Sequence, residues 1–248
     1  DAISRLESAQ IALMEEDVRP VDRYLMERFI RTGAALVEGA KGLELRPVDY
    51  TPSLRALSLD IETTLTTQKI LSIAIQMGDQ ERVLINGRQV DADWIECFQD
   101  ESSILLRFVE LIKRWDPDIV IGWAVIGFDL RVLQRRAKAL GIRLSIGRDD
   151  ENLYVEQGQT GRWFARLSGR VVLDGIDTLK AASWQFERYG LEYVAQTLLG
   201  RGKKIDHPDD RGEEIQRLYR EDPLALARYN LEDCRLVTDI FAKAGLLE

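Results

Sequence analysis

Leu54-Arg55-Ala56-Leu57-Ser58-Leu59-Asp60-Ile61-Glu62-Thr63 carries Leu57, Leu59 and Ile61 at alternating positions and sets two carboxylates near its end. Alternation with a period of two predicts a strand over Leu54–Leu59 with one face against a core. Side chains two apart on a strand share a face, so Asp60 and Glu62 at its C-terminal end point together. Adjacent carboxylates repel unless a cation lies between them. Taken alone, an Asp-x-Glu is more often a solvated pair at a strand end than a ligand pair.

Working outward, Lys69–Met77 and Arg82–Ile85 read as two further strands, joined through the turn residues Gly78-Asp79-Gln80. Three consecutive antiparallel strands are expected. Ile104–Trp115 carries Leu105, Phe108, Val109 and Ile112 at helical spacing and is stopped by Asp116-Pro117-Asp118. Asp118–Trp123 is a short apolar run of the kind buried on both faces. A helix over Leu130–Leu140 ends at Gly141. Arg143–Gly169 is polar and Gly-rich, with Trp163 and Phe164 as a hairpin rung, and Arg170–Leu173 is a fifth strand. Helices are predicted over Asp177–Phe186, Leu191–Leu199, Glu213–Arg220 and Leu224–Leu246, with Pro223 at the start of the last. This order gives a mixed α/β sheet flanked by helices. Upstream, Ile3–Met14 reads as a helix, Val21–Ile30 as helix or strand, and Gly33–Gly42 as a looser stretch ended by Pro47 and Pro52. Residues 1–52 are thus expected to be an appendage and 53–248 one domain.

The 248 residues carry 34 Lys+Arg against 42 Asp+Glu, a net charge of −8, and 45% of them are hydrophobic. That composition excludes intrinsic disorder as the main state. The longest apolar runs fall well short of the roughly 18 residues of a membrane span, and Asp1-Ala2-Ile3-Ser4-Arg5 is no signal peptide. Cys97 and Cys234 form no CxxC pair, which argues against zinc or a disulfide framework. A cytoplasmic, monomeric protein without membrane contact is expected, and the opening on Asp rather than Met suits a piece of a longer chain. The acidic balance argues against binding nucleic acid through a basic surface, but not against meeting phosphates through metal ions.

Two further carboxylates complete the pattern. Asp129, in Gly122-Trp123-Ala124-Val125-Ile126-Gly127-Phe128-Asp129, follows the buried strand and precedes a helix, where it reads equally as an N-cap or a ligand. Asp233, in Tyr229-Asn230-Leu231-Glu232-Asp233, shares a helix face with Tyr229, which reads equally as a core residue. Together, the three motifs resemble the metal-dependent 3′→5′ exonucleases of ribonuclease H-like fold. Four carboxylates suit two hard cations such as Mg²⁺, with Mn²⁺ able to substitute. The single His207 lies far from Asp233, so the chain resembles the version with Tyr in the third motif.

From Leu54 onward the chain is most similar to the proofreading domains of family B DNA polymerases, and within them to the bacterial members. The resemblance rests on the motif segments above and on Asp116-Pro117-Asp118-Ile119-Val120-Ile121-Gly122-Trp123 and Tyr189-Gly190-Leu191-Glu192-Tyr193-Val194-Ala195. Val18-Arg19-Pro20 and Arg23–Phe29 resemble the end of the polymerase N-terminal region. Nothing resembles palm, fingers or thumb, the partners that the resemblance implies in the full-length polymerase.

The resemblance implies a two-metal mechanism acting on a single-stranded or frayed 3′ end of DNA. It assigns Asp60 to both metals, Glu62 and Asp233 to the water-side metal, Asp129 to the other, and Tyr229 to orienting the water. Thr63 and Phe128 would neighbour the 3′ end and Lys203 the scissile phosphate, although Phe128 reads as well as core and Lys203 as a solvated turn. One departure is Ala124, where the family usually has Asn, which bears on substrate alignment more than on metal binding. A freestanding exoribonuclease of the same fold and a catalytically decayed binding module are the alternatives.

Overall fold

A computed structural model describes residues 5–6, 8–11, 18–31, 33–40, 42–201 and 211–247. Contacts divide the chain into Asp1–Ser53 and Leu54–Glu248. In the first unit, α1 (Pro20–Glu27) starts on a proline whose missing N–H costs nothing in a first turn. The antiparallel strands β1 (Gly33–Gly39) and β2 (Gly42–Val48) follow, in register from Gly33 opposite Val48 to Gly39 opposite Gly42. The stretch expected to be loose is therefore a hairpin. Its apolar run Ala34–Val37 is only four residues long and is bracketed by Gly33, Gly39 and Gly42, which read as loop punctuation. Half of the helix expected over Ile3–Met14 lies outside the described residues.

The second unit is built on one six-stranded sheet. Its strands are β3 (Ala56–Thr63), β4 (Ile70–Met77), β5 (Gln80–Asn86), β6 (Ile95–Phe98), β7 (Ile119–Gly122) and β10 (Val171–Asp174), in the order β10-β7-β3-β4-β5-β6. β3, β4 and β5 are antiparallel neighbours, whereas β7 and β10 run parallel to β3. β6, not expected from sequence, pairs parallel to β5, so β10 is the sixth strand of the sheet rather than the fifth.

The period-two pattern of β3 sorts its side chains between two layers. Leu57, Leu59 and Ile61 join Ile73 and Ile75 of β4 in a core closed by α2 (Glu101–Trp115) through Ile104, Leu105 and Phe108. The opposite face is covered by α7 (Pro223–Lys243), whose Leu236, Val237 and Ile240 meet Ile119 and Ile121, while Ala227, Leu231 and Cys234 meet Ala74 and Val83. Ser58, Asp60 and Glu62 therefore face α7. α2 begins three residues earlier than its apolar spacing suggested, because the Asp100 carboxylate caps it by accepting from the Ser103 N–H at 2.8 Å.

The connection after β7 is a single π-type turn, Ile126–Leu130, in which the Leu130 N–H donates to Val125 O, five residues back, at 2.9 Å. It runs into α3 (Arg131–Ala139). Such turns break the i−4 ladder and concentrate at functional sites. Gly122 makes the approach possible, since a Cβ there would lie 2.7 Å from Leu59 O. The hairpin β8 (Tyr154–Gln157) and β9 (Trp163–Arg166) sets Gln157 against Trp163. α4 (Gly175–Ala181), α5 (Leu191–Leu199) and α6 (Arg211–Glu221) complete the unit. α4 is shorter than expected, capped by Asp174 at its start and followed by Ser183 in the left-handed region. Among the described residues, no helix is long and apolar enough to cross a membrane.

Candidate active site

Asp60 and Glu62 lie on β3 opposite Ala74 and Ser72 of β4, two small residues that leave room above the sheet. Into that space α7 brings Asp233. One carboxylate oxygen from each of Asp60, Glu62 and Asp233 falls within 4.8 Å of the others. Glu62 and Asp233 are buried, at 6% and 1% exposure, and Asp60 is half-buried. Like charges this close are mutually destabilising, and a cation among them reverses the sign of the interaction. The donor set is all carboxylate, which matches hard, oxygen-seeking divalent ions.

Asp129 stands beside this cluster rather than in it. It is 2% exposed, and its Oδ1 accepts from the Ile61 N–H at 3.0 Å, between the two carboxylates of β3. It caps no helix: neither the turn nor α3 has a side-chain cap, so the capping alternative falls. Burial, and after it the Asp60 carboxylate, push its pKa well above the ordinary carboxyl value, against the pull of the Ile61 N–H.

All four carboxylates line one cleft of about 500 Å³, together with Thr63, Thr64, Leu65, Trp123, Ala124 and Phe128. The Trp123 indole N–H donates to Tyr189 O at 2.9 Å, joining the end of β7 to the segment before α5 across the cleft wall. Thr63 lies at the rim, its hydroxyl donating to Thr64 O at 3.1 Å. Phe128 is half-buried, serving the core and the cleft lining at once. Tyr229, one turn before Asp233 on α7, packs against Leu71, Ile215 and Leu226 and is not among the cleft-lining residues. Cys234 is a buried thiol donating to Ala74 O at 3.4 Å, its pKa pushed up by burial and by Asp60 and Asp233. Lys203 and His207 lie outside the described residues.

Sequence reasoning gave no role to Asn230. It is fully buried on α7, accepts from the Ser72 hydroxyl at 2.8 Å, and donates to Asp60 Oδ2. The signal available was a polar residue three positions before Asp233, on the helix face turned to the sheet.

A family model described as DNA polymerase family B, exonuclease domain, matches residues 40–194. DNA polymerase II of Escherichia coli (strain K12) is 42% identical over 98% of the chain and 33% of its own length. The DNA polymerase of Thermococcus litoralis is 28% identical over 94% of the chain and 13% of its own length. That of Desulfurococcus sp. (strain Tok) is 25% identical over 94% and 28%. The chain thus spans about a third or less of the length of these relatives.

Proposed function

The chain belongs to the family B DNA polymerases as an exonuclease domain, and on that premise we propose that it shortens DNA from the 3′ end, releasing nucleoside 5′-monophosphates. The observation that carries this reading is the convergence of Asp60, Glu62 and Asp233 within 4.8 Å in an open cleft, with Asp129 at its wall. Exonuclease domains of this kind use divalent metal ions, and Mg²⁺, with Mn²⁺ in its place, fits the donors. Asp60 would face both cations, Glu62 and Asp233 the water-side one, and Asp129 the other. The chemistry supplied by the bound cations is activation of a water and stabilisation of charge on the leaving 3′ oxygen.

The chain's own residues do the rest. The β3 backbone sets where Asp60 and Glu62 project, and Asp233 is set by a helix packed across β7, β3, β4 and β5, so little backbone reorganisation is needed on binding. Tyr229, one helical turn from Asp233 and packed beside the cleft against Ile215, would orient the attacking water once its phenol turns toward the carboxylates. Thr63 and Phe128 meet the terminal nucleotide, Phe128 by stacking, and Lys203 meets the scissile phosphate. The substrate is a single-stranded or frayed 3′ end presented by polymerase domains of a full-length chain, in which residues 1–52 are the end of an N-terminal region.

Titrating Mn²⁺ into metal-stripped protein by calorimetry tests the donor assignment. Binding in the wild type, weakened more than about tenfold in Asp233→Asn, supports it. Equal affinity in the two proteins contradicts it.

A further inference from the structure

Behind the carboxylate cluster runs a buried chain of hydrogen bonds. Ser72 on β4 sits opposite Glu62, and Asn230 on α7 sits three residues before Asp233; both are 0% exposed. The Ser72 hydroxyl donates to Asn230 Oδ1 at 2.8 Å, and Asn230 Nδ2 donates to Asp60 Oδ2. Chemistry sets the direction of this chain. An amide turned the other way would place its oxygen against the Asp60 carboxylate, acceptor to acceptor. The carboxylate therefore takes the NH₂ edge, and the single proton of Ser72 is committed to the amide oxygen. Neither Ser72 nor Asn230 lines the cleft, so neither is placed to touch substrate.

We propose that Asn230, held by Ser72, is a positioning residue that fixes the Asp60 carboxylate for cation binding. The inference rests on the metal reading of the cluster given above. Held at Oδ2, Asp60 presents its other oxygen in one orientation, and a carboxylate without that partner must be ordered each time a cation binds. A neutral amide suits this task, because it orients the carboxylate without competing for its charge as Lys or Arg would. Partners behind metal ligands typically change affinity or activity by about ten- to a hundredfold.

The test is Mn²⁺ calorimetry without DNA on wild type, Asn230→Ala and Ser72→Ala/Asn230→Leu, with thermal unfolding of each metal-free protein. The double variant removes both partners of the Ser72–Asn230 bond, so no orphaned group remains between them. Expected are cooperative unfolding of the double variant and Mn²⁺ affinity lower by about ten- to a hundredfold in both variants. Saturating Mn²⁺ should then restore most of kcat to Asn230→Ala but none to Asp60→Ala. Wild-type affinity in the folded variants would overturn the positioning role while leaving the metal reading intact. Failure of both variants to fold would assign the pair to the fold instead and overturn it too. Absence of Mn²⁺ binding by the wild type would overturn the metal reading itself.

Discussion

Asp129 is a carboxylate buried where its charge is disfavoured, and its pKa is pushed well above the ordinary 3.8, first by burial and then by Asp60. The native state thus holds this proton more tightly than the unfolded chain does. Stability from this group is fullest below pH 3.8 and is lost as pH rises through the native value. Asparagine keeps an oxygen for the Ile61 N–H and removes the charge. Metal-free Asp129→Asn should therefore unfold at higher urea than wild type near neutral pH, with the gap closing as pH falls toward the ordinary carboxyl value, while exonuclease activity is lost. Ala124 shows a second cost: its φ of 56° is left-handed backbone, which disfavours most L-residues by about 1–2 kcal/mol and Asn less. Ala124→Asn is expected to raise stability by about 0.5–1 kcal/mol in urea unfolding. All four carboxylates were legible in the sequence because their order along the chain is a pattern. Asn230 was not, because one polar residue on an apolar helix face has no period to betray it, and only the fold could remove the cap reading of Asp129.

At the scale of elements, Glu101 at the start of α2 is 7% exposed and ties three of them together. It takes a two-pronged bond from Arg136 of α3, at 2.8 and 2.7 Å, and accepts from the Ile70 N–H of β4 at 3.0 Å. Removing one partner of a buried pair strands the other, at a cost of about 3–5 kcal/mol. Arg136→Ala should lose about that much in chemical denaturation, toward the lower end because Arg136 keeps 21% side-chain exposure. Arg19→Ala, which breaks an exposed and solvent-screened pair with Asp22, should leave the unfolding midpoint essentially where it was. The strands β3, β4, β5 and β7 and the long helix α7 could be read from sequence because each carries a sustained apolar pattern. β6 could not: Ile95-Glu96-Cys97-Phe98 lacks the unbroken apolar run of β7, and it pairs parallel to β5 after a connection of only residues 87–94, shorter than the dozen or so residues a parallel crossover ordinarily takes. The β1–β2 hairpin was hidden by Gly33, Gly39, Gly42 and Pro47, which read as loop punctuation until the strands pair.

For the whole molecule, a charge of −8 sets how it meets a polyanion. With its 34 Lys+Arg outnumbered by 42 Asp+Glu, affinity for a single strand should be weak and should fall about tenfold between about 50 and about 200 mM salt, as for two or three phosphate contacts. Fluorescence anisotropy with Ca²⁺ in place of the catalytic metal measures this, and tight binding that ignores salt would contradict it. The mixed sheet serves the same end from the other side: it gathers acidic residues from one strand, one turn and one late helix into a single cleft, which on the proposed reading leaves metal ions rather than a basic surface to meet the phosphates. The most direct measurement is digestion of a 5′-labelled single-stranded DNA oligonucleotide with Mg²⁺ or Mn²⁺, beside Asp60→Ala and an EDTA control. A ladder shortening from the 3′ end in the wild type alone is the predicted result; wild type and Asp60→Ala equally inert at high enzyme concentration with Mn²⁺ would contradict the account.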